Sequence, residues 1–111
     1  MITLRAIDKD NWEEAISLKV KPEQRQFVAS NLYSVAQVQF LDDFQAMGLY
    51  EKKDGPMVGF AMYGIDPDDR NFWIYRHMID QKHQGKGLGS AALQCILEDI
   101  RSRNESVNAA C

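Results

Sequence analysis

Apolar and polar residues alternate at the start of the chain, from Ile2 to Ile7, and predict a first β-strand. The period then changes. Trp12, Ala15, Ile16 and Leu18 line up on the inner side of a helix reaching about Val20, with Asp10 and Glu13 placed as a capping box. Pro22 suits the first turn of a second helical stretch running to about Phe40, with a break near Ser30 and Asn31. Leu49–Lys53 and Met57–Ile65 read as strands joined across Asp54-Gly55, a strong hairpin signal. Asp66-Pro67-Asp68-Asp69 marks a turn, and Phe72–Ile79 is the longest β-prone run. Leu88, Ala92, Ile96 and Ile100 recur every four residues, flanked by Leu93 and Leu97, and predict a helix over Leu88–Arg103. The order β-α-α-β-β-β-α implies an α/β chain, an α+β sandwich with antiparallel hairpins at its centre.

Composition narrows the picture. A chain of 111 residues has room for one domain (1–111) with a modest core, and 45% hydrophobic against 26% charged residues is a globular balance. The net charge is −3 without a basic run, which argues against nucleic acid or an anionic membrane as partner. No apolar run approaches the ~20 residues of a membrane span, and MITLRAIDKD lacks a signal-peptide core, so a cytoplasmic protein is expected. Cys95 and Cys111 make no disulfide framework, and Cys95 reads as a small core residue. No cluster has metal-ligand spacing, and no Ser-His-Asp arrangement stands out.

The stretch HQGKGLGSAAL, His83 to Leu93, carries the chemistry. A strand feeds a glycine-rich turn that opens a helix, and the first N–H groups of that helix have no intrahelical partners. Together with the helix dipole they form a nest for an anion. Gly85, Gly87 and Gly89 let that anion approach the backbone, and Lys86 adds a positive charge. Such a loop suits a pyrophosphate, although a plain chain reversal also uses glycine. The P-loop order is absent, and the dinucleotide fingerprint lacks its closing spacing and its parallel βαβ context.

Gln84-Gly85-Lys86-Gly87-Leu88-Gly89 matches Gln/Arg-x-x-Gly-x-Gly/Ala, and the chain thereby resembles the GCN5-related N-acetyltransferases (GNAT). WIYRHMIDQKHQGKGLGSAAL, FVASNLYSVAQ and VGFAMYG resemble the bacterial spermine/spermidine (diamine) acetyltransferase branch. The resemblance implies a mixed, mostly antiparallel GNAT sheet and acetyl-CoA as cofactor. It implies that amides from Gly85 to Ser90 (Gly85, Lys86, Gly87, Leu88, Gly89, Ser90) hold the CoA pyrophosphate, with Gln84 at the loop entrance. Met78 and Ile79 are then expected to pair their backbone with the pantetheine arm, and an N–H near Met78 to polarise the thioester carbonyl.

Acetyl transfer to an amine needs a deprotonated, well-placed nucleophile. The resemblance makes Tyr75 the first choice for the end of a water chain, with Glu51 and His77 as alternatives. His83 is expected to be solvated. A polyamine acceptor is cationic, so Glu23, Asp42, Asp43 and Glu51 are candidate partners, with Tyr33 and Phe44 lining apolar parts of the groove.

The resemblance also implies further C-terminal strands and an Asn-x-x-Ala…Leu-Tyr motif, which NESVNAAC does not match. An uncovered sheet edge is then expected, and with it a homo-oligomer. Two functions follow as expectations: an acetyl-CoA-dependent N-acetyltransferase acting on a small amine such as spermidine or spermine, or a catalytically inactive CoA-binding fragment that acts as an oligomerising interaction module.

Overall fold

A computed structural model describes residues 2–27, 30–52 and 54–107. Lys53 and Cys111, named above, lie outside the described residues. Strand β1 is Thr3–Ala6, helix α1 is Trp12–Ser17, and a 3₁₀ segment covers Pro22–Phe27. Helix α2 is Asn31–Val38, followed by strands β2 (Phe44–Tyr50), β3 (Met57–Ile65) and β4 (Phe72–Ile79). A short 3₁₀ turn, Gln81–His83, leads into helix α3, Leu88–Val107. The four strands form one sheet in the order β1-β2-β3-β4, with every neighbouring pair antiparallel.

The element order is the expected one, but local details differ. The second strand runs over Phe44–Tyr50, earlier than Leu49–Lys53. Its two faces pack into both core layers, Met47 and Leu49 on the α3 side and Phe44 and Tyr50 on the α1–α2 side, so its apolar residues do not alternate cleanly with polar ones. Helix α1 starts without the expected capping box. Asp8 accepts from the N–H groups of Asp10 (2.8 Å) and Asn11 (3.2 Å), while Asn11 accepts from Asp8 N–H at 2.8 Å. Leu18 is already extended, so α1 stops before Val20, and Trp12 is exposed while Ala15 is buried. The second helical stretch divides into the 3₁₀ segment and α2. Ser30 caps α2 by accepting from Tyr33 N–H at 3.1 Å, which is why the helix begins there.

The sheet is covered on both faces. Helices α1 and α2 shelter Phe44, Tyr50, Met57, Phe60 and Met62, with Ala15 and Leu18 supplied by α1 and the residue after it. Helix α3 shelters Met47, Leu49, Val58, Ala61, Tyr63 and Ile79 with Leu88, Ala92 and Ile96. Strand β3 is central and buried from Met57 through Gly64. Buried Tyr63 pins α3 to the sheet by donating to Asp99 at 2.5 Å, and Arg103 pairs with the same carboxylate at 2.9 Å. No helix among the described residues is long and apolar enough to cross a membrane.

Candidate active site

Strand β4 is an edge strand among the described residues, and its register carries a bulge. Met62 lies opposite Arg76 and Tyr63 opposite Ile74, so Tyr75 is an extra residue. The extra residue shifts the alternation of side chains. Ile74 packs on the α3 face, while Tyr75 and Arg76 both turn towards the α1–α2 layer.

Beyond the bulge the backbone alternates again. Asp80 N–H donates to Val58 at 2.8 Å, and the Met78 carbonyl lies over Gly59, 2.5 Å from where a β-carbon would sit. Both groups therefore face β3. In an antiparallel ladder the intervening residues face the other way, so His77 and Ile79 present their N–H and C=O groups to the open edge. The Ile79 carbonyl duly accepts from the Gln84 side chain at 2.9 Å. This corrects the expectation for Met78. Its main chain is engaged with β3, its side chain lies in the α1–α2 layer beside Asn31 (3.7 Å to Sδ), and His77 takes its place at the edge.

The open edge runs into a cavity of about 440 Å³ between the end of β4 and the start of α3. Its floor is His77, Met78 and Ile79, its far wall is Gln84, Gly85, Gly87, Leu88 and Gly89, and Val20 and Gln24 close the near side. Gly85 and Gly87 adopt φ of +84° and +78°, a region that L-residues rarely enter, and nothing stands within 4 Å of a β-carbon placed on either. The first carbonyl of α3 to be engaged is that of Gly87, by Ala91 N–H at 3.2 Å. The N–H groups of Leu88, Gly89 and Ser90 consequently lack helical partners. Leu88 itself is a core residue and offers only its main chain, whereas Lys86 and Ser90 are exposed.

His83 is half-buried, not solvated as expected, and its Nδ1 is buried without a hydrogen-bond partner among the described residues. His77 is exposed as a residue, but partial desolvation of its imidazole against the α3 start pulls it below its ordinary pKa, only partly offset by the Gly89 main chain. The open space above two left-handed glycines, three unpaired helical N–H groups and an orphaned imidazole nitrogen fit an extended, anion-bearing cofactor.

The substrate-side residues do not converge. Tyr33 is exposed on α2, with the Arg76 guanidinium 5.8 Å from its ring. Glu23 is exposed on the 3₁₀ segment, and Glu51 is exposed beyond the end of β2. The bulge sits level with Ala46, so at ~3.3 Å per residue Glu51 is roughly 17 Å further along the sheet. Asp43 is occupied by Arg70 at 3.3 Å, and Phe44 is buried against the Tyr75 ring, centroids 4.4 Å apart.

Tyr75 is not poised as a base. Its hydroxyl donates to Asp66, and that hydrogen bond to a carboxylate pushes the phenol up to about 12. The same bond holds Asp66 below the usual carboxylate range. Sequence reasoning missed Gln24 and Arg76. Gln24 reaches the cofactor loop from a distant segment, so nothing local marks it. A charged residue inside an otherwise apolar strand was the available signal for Arg76.

An open strand edge leading to an anion cradle at a helix start defines an acyl-cofactor-binding fold of the acetyltransferase type. The comparisons agree. The acetyltransferase (GNAT) family profile matches residues 3–110, and the chain belongs to that family. It is 31% identical over 105 residues to the spermine/spermidine N(1)-acetyltransferase of Bacillus subtilis (strain 168), covering 89% of this chain and 68% of that protein. A GNAT family acetyltransferase from Staphylococcus aureus superposes with a TM-score of 0.63 at 15% identity, over 93% of this chain and 80% of that one. AAC(6')-Iy, solved with the bisubstrate analogue CoA-S-monomethyl-acetylneamine, superposes with a TM-score of 0.58 at 12% identity, over 100% of this chain and 75% of that one. At such identities the two structures speak for the fold.

Proposed function

We propose that the chain transfers an acetyl group from acetyl-CoA to the nitrogen of a small amine. One observation carries this reading: the outward-facing main chain of His77 and Ile79 ends directly at the left-handed glycines of the cradle. Acetyl-CoA supplies the acetyl group as a reactive thioester. The N–H groups from Gly85 to Ser90 bind its pyrophosphate, and Gln84 braces that loop against Ile79. His77 and Ile79 align the pantetheine arm as an added strand. The His77 N–H, nearest the bulge, is the donor placed to polarise the thioester carbonyl.

From the free-base amine the transfer is proton-neutral, the nitrogen losing one proton and the cofactor sulfur gaining one; an amine that arrives as ammonium first gives one further proton to solvent. Tyr75 keeps its proton at neutral pH, so the free-base fraction of the amine attacks and solvent relays the proton. The polyamine reading rests on the Bacillus subtilis relative's name. The scattered positions of Glu23, Tyr33 and Glu51 do not add to it.

Calorimetric binding of CoA, together with CoA-thiol release from acetyl-CoA over a panel of primary amines, tests the proposal. Binding without release from any amine would favour the reading as a CoA-binding interaction module. The open β4 edge, with Leu93 and Leu97 at 38% and 42% exposure on α3, supports self-association in that case. Light scattering over a dilution series reads it out.

A further inference from the structure

We infer that Arg76 is the specificity residue of the acceptor site and that the acceptor amine also carries a carboxylate. This inference rests on the acetyl-transfer reading above. Arg76 is the second residue of the β4 bulge and is half-buried on the α2 side of the sheet. Its Nε donates to Ser34 Oγ at 3.0 Å, Nη2 to Gln37 Oε1 at 3.2 Å, and Nη1 to the Tyr75 carbonyl at 2.8 Å. Each of these partners is neutral, as is the Tyr33 ring beside the guanidinium. Among the described residues the ion pairs are Arg70–Asp43 and Arg103–Asp99, and Arg76 has none.

A partly buried charge held by neutral groups alone is unusual, because buried charges are ordinarily paired. A guanidinium has five N–H donors, and three are used. The bonds to strand and helix fix the plane of the fork, and the remaining donors suit a planar carboxylate. Asp66, on the turn after β3, is taken by Tyr75. A positive, oriented, unpaired group next to the bulge repels a polyamine and attracts an amine with a carboxylate.

Matched amines isolate that one group. Ornithine is putrescine plus a carboxylate, and lysine is cadaverine plus a carboxylate. CoA-thiol release is measured for both pairs, and for spermidine, with the full chain and with Arg76→Gln and Arg76→Lys. The full chain is expected to favour the carboxylate member of each pair by about tenfold or more in kcat/KM. Arg76→Gln should erase that preference, and Arg76→Lys should keep part of it, while CoA affinity stays near that of the parent; both variants should melt earlier, because the hydrogen bonds to Ser34 and Gln37 are lost or weakened. Equal or faster turnover of putrescine, cadaverine or spermidine overturns the inference, as does a preference that survives in Arg76→Gln. Equilibrium titration of ornithine and putrescine into the CoA-loaded chain decides independently of turnover. Absence of turnover with every amine would count against acetyl transfer, whereas tighter ornithine binding lost in Arg76→Gln would still sustain the role of Arg76. Failure of ornithine to bind more tightly than putrescine would overturn it.

Discussion

The side-chain amide of Gln84 donates to the side-chain carbonyl of Gln24 at 3.2 Å, joining the glycine loop to the 3₁₀ segment on the other side of the cavity. Gln24 is held in place by Lys21 N–H at 3.1 Å, and Gln84 also grips Ile79. The cofactor loop is thus braced from both sides before any ligand enters. Gln24→Ala removes both hydrogen bonds to its side-chain carbonyl, of which only the one from Gln84 bears on the loop, worth about 1 kcal/mol. CoA affinity measured by calorimetry should fall by roughly fivefold. Unchanged affinity would show that the bridge has no part in shaping the cradle.

The glycines make a sharper test, because stability and binding separate there. Gly87 has φ of +78° and open space where a β-carbon would go. Gly87→Ala should cost roughly 1–2 kcal/mol of stability through backbone conformation alone. Gly87→Val also places atoms in the open space proposed for the pyrophosphate. The loss of two charge-assisted hydrogen bonds, about 3 kcal/mol together, would weaken CoA by on the order of a hundredfold. Chemical denaturation and CoA titration of both variants, side by side, check the two effects.

The glycine turn and the helix start behind it were legible in the sequence because their determinants are local. Alternating glycines directly before an apolar four-residue repeat specify both the turn and the helix start. The order of elements was legible for the same reason, since period changes and turn dipeptides are short-range signals. Two kinds of information were not. The bulge at Tyr75 is a property of strand pairing, and it decides which residues face α2 and which main-chain groups reach the edge. Hence strand position pointed to Met78 at the open edge, whereas the pairing turns the His77 main chain outward and the Met78 main chain towards β3. The Tyr75–Asp66 bond depends on how the turn after β3 folds back, and it argues against the residue that the resemblance had made the first choice for the base.

Tyr75→Phe tests this directly. A residue acting as general base contributes about 10²–10⁴-fold. If the phenol only donates to Asp66, the variant should keep kcat within a few-fold of the parent. Its pH–rate profile should be unchanged as well, with kcat/KM rising towards the pKa of the amine, near 10 for a lysine-like nucleophile. A hundredfold loss, with a shifted limb in the profile, would restore Tyr75 to the proton path.

His77 gives a pH signature that does not depend on catalysis. Its side chain lies at the α3 start, where partial desolvation holds the imidazole below its ordinary pKa of about 6.5. The unfolded chain therefore takes up a proton more readily than the folded one. Stability should be unaffected by this residue above about pH 6.5, and should fall as pH drops through 6.5 towards the lowered folded value. Other groups titrate in the same range, so the observable is a difference. Urea unfolding of the parent and of His77→Phe, compared between about pH 8 and pH 5, should show the parent losing stability faster on the acid side. Because CoA binds only the folded form, saturating CoA should raise stability at every pH while leaving that difference in slope visible. Parallel curves for the two proteins would mean that the His77 ring, exposed as a residue, is free to protonate in the folded state and that its packing at the α3 start does not desolvate it.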